Sequence, residues 1–136
     1  MNKNTIYMLA TLQRAGISTD DAFALRRISM TLHRWHELEC GDSNDYCSFG
    51  IERDKNSGKP FMSYHTNSGN HRKQWIPDRE RGALERLDTI MARYPSLKAY
   101  IQGDCRGAAL YILRPDDVPE GKDVDAYYSR GLAVYK

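Results

Sequence analysis

Leu25, Ile28, Leu32 and Trp35 recur at helical spacing, flanked by Ala24 and Leu38, and make one continuous apolar stripe. The stretch from Thr19 to Cys40 therefore reads as a single long helix. Ser18 or Thr19 supplies an N-cap oxygen, and Asp20 and Asp21 put negative charge where the helix dipole favours it. Gly41 is the expected stop. Phe23 and Met30 fall roughly opposite the main stripe, among Arg27, Arg34 and Glu37. A surface helix with one buried face would not need them. The pattern places this helix centrally, its main stripe on a sheet and its minor stripe on a second helix or a partner.

The same reading extends in both directions. Asn4 to Ala15 predicts a first helix, with Ile6, Leu9 and Leu12 apolar, Gly16 as the stop and Ile17 stapling the next helix. Cys47 to Arg53 and Pro60 to Tyr64 predict two strands around an Asp54 to Gly58 hairpin loop. Thr66 to Gln74 has no periodicity and reads as a loop. Ile76-Pro77-Asp78 opens a third helix whose apolar arc is Leu84, Leu87, Ile90, Met91 and Tyr94, closed by Pro95. Gly82 within that helix suggests a close approach by another group.

Ala99 to Gln102 and Ala108 to Arg114 predict a hairpin closed by Gly103 to Gly107. Ala109 to Leu113 is apolar without alternation, as in a strand covered on both faces. Asp125 to Tyr128 and Leu132 to Tyr135 predict a closing hairpin about Ser129-Arg130-Gly131. The expected fold is a single α+β domain over residues 1–136. It has three helices, the second central, packed on a mainly antiparallel sheet of hairpins.

Composition narrows the class. The chain of 136 residues is 40% hydrophobic and 28% charged, which suits a globular protein, and no apolar run is long enough to span a bilayer. The N-terminus lacks a secretory pattern, and three cysteines in such a chain predict reduced thiols in a cytoplasm. Charge is unevenly placed. Lys55 to Trp75 holds four Lys/Arg, two His and no acid, whereas Asp116 to Asp125 holds five acids against Lys122. Such asymmetry favours docking on a charged partner, or of one copy on another as a homodimer.

Two stretches carry candidate binding chemistry. In Gln102 to Gly107, two glycines let backbone N–H groups turn toward an anion, and Arg106 beside Asp104 could clamp a carboxylate or phosphate. Arg130 is expected at a turn of the same sheet and pairs with Arg106 as the place to look. Arg72 and Lys73, next to Trp75, interleave base and aromatic as single-strand nucleic-acid binders do.

Other constellations fit poorly. His33, His36 and Glu37 do not follow a metalloprotease order, and six residues intervene between Cys40 and Cys47, too many for a zinc finger with His65 and His71. Arg27 and His33 match the loose spacing of HEPN ribonucleases, but Ile28 follows the arginine where that family carries a polar residue. No catalytic residue, metal or cofactor is assigned.

The runs RISMTLHRWHELECG, IPDRERGALERL, YIQGDCRGAALYILRP and YYSRGLAVY resemble those of small uncharacterised proteins of tailed phages and prophages, over Ile17 to Tyr135. The resemblance implies a phage accessory protein and carries no catalytic residues. The expectation is non-enzymatic binding to a host macromolecule in the host cytoplasm, as in inhibition of host defence. Nucleic-acid binding through residues 55–75 and nucleotide binding at 103–107 are the alternatives.

Overall fold

A computed structural model describes residues 2–40, 46–66, 71–104 and 107–134. The first helix, α1 (Lys3–Arg14), starts at Asn2, whose Oδ1 accepts from the Thr5 N–H at 2.8 Å. It buries Thr5, Met8, Leu9 and Leu12. Ile6, expected among the apolar positions that pack, is instead 53% exposed, because the buried arc runs through Thr5 and Met8 one step round the helix. Gly16, at φ 98°, turns the chain into Ile17, which is buried.

The second helix, α2, spans Thr19–Cys40 as a single element. Ser18 is its cap: Oγ accepts from the Asp21 N–H at 3.2 Å and the carbonyl from Ala22 at 2.9 Å. Leu25, Ile28, Leu32 and Trp35 are all buried, Trp35 to 4% exposure. Ala22, Ser29 and His36 widen that face, and Phe23 packs half-buried against the same core. The helix touches α1, the third helix and the sheet, so it is central. The expected stop at Gly41 lies outside the described residues.

A polar clasp fixes its start. The buried Asp21 carboxylate accepts from Arg93 Nη1 at 2.6 Å and from the Tyr94 hydroxyl at 2.5 Å, while the Ser18 N–H donates to Tyr94 Oη at 3.1 Å. Arg93 and Tyr94 follow α3 (Asp78–Met91), which buries Ala83, Leu84, Leu87 and Ile90. Among the described residues no other element closes on Gly82: the nearest side chain is Arg86 of the same helix, 3.6 Å from where a Cβ would stand.

The strands are β1 (Tyr46–Arg53), β2 (Pro60–Thr66), β3 (His71–Trp75), β4 (Lys98–Asp104), β5 (Gly107–Leu113) and β6 (Leu132–Ala133). They form one sheet in the order β3-β2-β1-β4-β5-β6, and every pair is antiparallel. Leu110, Ile112 and Met62 are buried in the core that the helices complete. On the reverse face the Tyr128 ring meets Tyr100 at 5.3 Å and Tyr111 at 5.0 Å. β5 is thus covered on both faces, which is why its apolar residues do not alternate. The fold is α+β, as the hydrophobic pattern predicts.

Three segments differ from the sequence expectation. Residues 71–75 form an edge strand rather than a loop, with Phe61 opposite Trp75 and Ser63 opposite Lys73. Backbone pairing sustains it, so no alternating apolar pattern is required. The Gly103 to Gly107 loop is largely strand, since Gly103 pairs with both Ala108 and Phe49, and Asp104 pairs with Gly107. The closing hairpin is replaced by a fourth helix, α4 (Val124–Tyr127), and a 3-10 turn (Tyr128–Arg130). Asp123 starts that helix by accepting from the Asp125 N–H at 3.2 Å, a local capping bond that outweighs the strand propensity of the tyrosines.

Candidate functional site: an arginine-lined groove

The site builds upward from Asp117. Its carboxylate, 8% exposed, accepts from Arg114 Nε and Nη2 at 3.0 Å each and from the Arg114 backbone N–H at 2.7 Å. Burial pushes the Asp117 carboxyl up, but the Arg114 side-chain and backbone hydrogen bonds outweigh it and hold the group below the usual carboxylate range. Arg114 also donates through Nη2 to the Arg130 carbonyl at 3.2 Å, tying the 3-10 turn to the end of β5.

Arg130 itself lies over the Tyr127 ring, its guanidinium carbon 4.6 Å from the centroid. The turn sits tightly on β5 because the next residue is Gly131. A Cβ there would lie 2.6 Å from Leu113 Cδ2 and 3.0 Å from the Ile112 carbonyl oxygen. Across from this turn runs α1, which packs on β6. Between them is a groove of about 790 Å³ lined by Tyr7, Arg14, Arg114, Arg130 and Leu132 among others. Its described lining holds three arginines and no carboxylate. Tyr7 is 70% exposed, an aromatic side chain left uncovered at the groove.

Of the residues singled out from the sequence, Arg130 belongs to this groove. Arg106, and with it the expected pairing of Arg106 with Arg130, lies outside the described residues. Asp104 stands at the end of β4, and Arg72 and Lys73 stand in β3; their side chains lie outside what is described. Trp75 is 52% exposed and meets Phe61 edge-to-face at 5.9 Å. Sequence reasoning missed Tyr7, Arg14 and Arg114. The available signal was Tyr7, Thr11 and Arg14, which share one helix face at spacings of four and three.

Among the described residues no His, Cys, Asp and Glu gather in a group able to hold a metal ion. No described helix is long and apolar enough to cross a membrane. No family model, curated protein or solved structure matches this chain.

Proposed function

We propose that this protein acts by non-enzymatic binding, and that the arginine-lined groove takes an acidic segment of a partner protein. The observation that carries this reading is the convergence of Arg14 and Arg130 on one groove beside exposed Tyr7, with Arg114, whose charge Asp117 already meets, holding the turn in place. Arginine and tyrosine are the residue types that most often dominate interface energetics. A planar guanidinium meets a carboxylate in bidentate fashion, and one already stacked on an aromatic ring loses little freedom on binding. The resemblance to phage and prophage proteins extends the proposal: the partner is a host macromolecule in the host cytoplasm, with a defence component as the natural target class.

The test is capture from host extract by the tagged full chain, with the captured partner then titrated. Arg130→Ala and Tyr7→Ala should each weaken the complex by about 2 kcal/mol if they are hot spots. Equal affinity of wild type and both variants would remove the groove as the contact surface. A thermal-shift screen of nucleotides accompanies it. A nucleotide that stabilises wild type but not Arg130→Ala would favour a nucleotide site instead.

A second reading rests on β3, an edge strand that carries Arg72, Lys73 and exposed Trp75. Single-stranded nucleic acid would bind there through base stacking and phosphate contacts, with an affinity that falls steeply as salt rises. A titration at low salt with no binding of either strand form would dismiss it.

A further inference from the structure

Among the described residues, β1 and β4 join the two halves of the sheet through three residue pairs, from Ser48↔Asp104 to Gly50↔Gln102. Continuing that register would set Ile51 against Ile101, Glu52 against Tyr100 and Arg53 against Ala99, yet these residues do not pair. Each strand remains paired on its other side, β1 with β2 as far as Arg53↔Pro60 and β4 with β5 as far as Lys98↔Leu113. Two strand edges therefore face each other across a cleft of about 720 Å³, lined by residues of both. Along a strand, alternate residues turn N–H and C=O to one side, so each edge offers backbone donors and acceptors to the cleft.

The two sides of the cleft differ in chemistry. Leu84 and Leu87 of α3 lie behind it, together with Ile51 and Ile101, which pack only partly buried against the core. Glu52 and Asp125 lie on it as well. Among the described lining residues the one arginine, Arg53, has its charge met by Asp88 of α3 at 2.6 Å. The Tyr100 hydroxyl donates to Asp125, and burial followed by that hydrogen bond keeps the phenol protonated well above its ordinary range. The surplus charge of the described lining is therefore negative.

We propose that this cleft binds an extended peptide segment as an added strand, with apolar side chains toward Leu84 and Leu87 and basic ones toward Glu52 and Asp125. Unpaired edges on both sides select a peptide backbone over a compact small molecule, because only a strand offers donors and acceptors at the matching repeat. The alternating apolar and acidic surroundings then select an alternating sequence. Among the described residues the cleft and the arginine-lined groove share no lining residue, so the two assignments stand or fall separately.

The probe is a fluorescently labelled acetyl-Lys-Val-Lys-Val-Lys-amide, titrated against the full chain at low salt. Saturable binding with Kd below about 1 mM is expected. A peptide of the same composition in the order Val-Val-Lys-Lys-Lys should bind at least about tenfold more weakly, as should peptides N-methylated on alternate backbone nitrogens. Glu52→Lys, a change at an exposed position, should weaken binding while leaving the circular dichroism spectrum and Tm unchanged. Amide shift changes should concentrate on Ile51–Arg53 and Ala99–Ile101. No saturation, indifference to N-methylation, or shifts concentrated on the outermost strand at His71–Trp75 would each overturn the proposal.

Discussion

The groove and the cleft are built by opposite means. Around the groove, side chains from α1, the Arg114 turn, the 3-10 turn and β6 converge on backbone that is already paired or capped. At the cleft, the side chains are ordinary for a sheet and the unusual component is the backbone, where two strand edges lie unpaired within the sheet. A surface made of side chains is read by its partner residue by residue, and one substitution can remove most of the affinity. A surface made of backbone tolerates most single substitutions, because its hydrogen bonds do not depend on residue type.

The largest expected effect falls on both surfaces together. Trp35 belongs to the core cluster on which α1, α3 and the sheet all rest. Trp35→Ala should lower stability by about 3–5 kcal/mol through lost burial and the cavity left behind. Denaturant midpoints that barely move would show that α2 is not the common support. Next in size, Gly131→Ala should cost about 1–3 kcal/mol, because its Cβ must displace Leu113 or the 3-10 turn. That variant separates the surfaces: groove affinity should fall with Tm, while the alternating peptide should bind the cleft as before. Equal losses at both would mean that the two surfaces are mechanically coupled.

The smallest effects come from pH, and they differ in direction. Asp117 has a lowered folded pKa, so the stability its pairing supplies is complete above the ordinary carboxylate value near 4 and is lost as pH falls through the folded value. Tyr100 has a raised folded pKa, so its contribution is complete below the ordinary tyrosine value near 10 and declines above it. Asp117→Asn should flatten the acid limb of a stability–pH curve and leave the alkaline limb alone, and Tyr100→Phe should do the reverse. Urea midpoints measured across the pH range would check both.

How far the sequence announces these features depends on whether the cause is local. The span of α2 and the burial of Trp35 follow from side chains a few positions apart and were legible, and the cap was narrowed to Ser18 or Thr19, of which Ser18 makes the bond. β3 was not, because Arg72, Lys73 and Gln74 give no alternating apolar signal and the strand is held by pairing to β2. Residues 124–130 were misread because aromatic residues favour strands, whereas the capping bond from Asp123 starts a helical turn. The groove could be read only in part. Arg130 stood out beside a glycine, but Arg14 and Arg114 reach the same place from far along the chain, and no spacing rule encodes that. The cleft leaves no mark in composition at all, since it consists of pairs that are not made.

The clasp between the start of α2 and the end of α3 has a consequence for the length of the chain. Its partners stand 72 to 76 positions apart, and the whole β1–β3 meander lies within the loop they close. Closure entropy grows only with the logarithm of loop length, so each doubling costs about 0.6 kcal/mol. A few residues added at the 54–58 turn would therefore lengthen this already long loop at a cost of a small fraction of that, provided the Asp54 to Gly58 bonds are re-formed. The same residues inserted between Gly16 and Ser18 would loosen a connection of four residues, Ala15 to Ser18, whose partners are fixed on either side. The chain can thus grow outward from its sheet far more freely than between its first two helices.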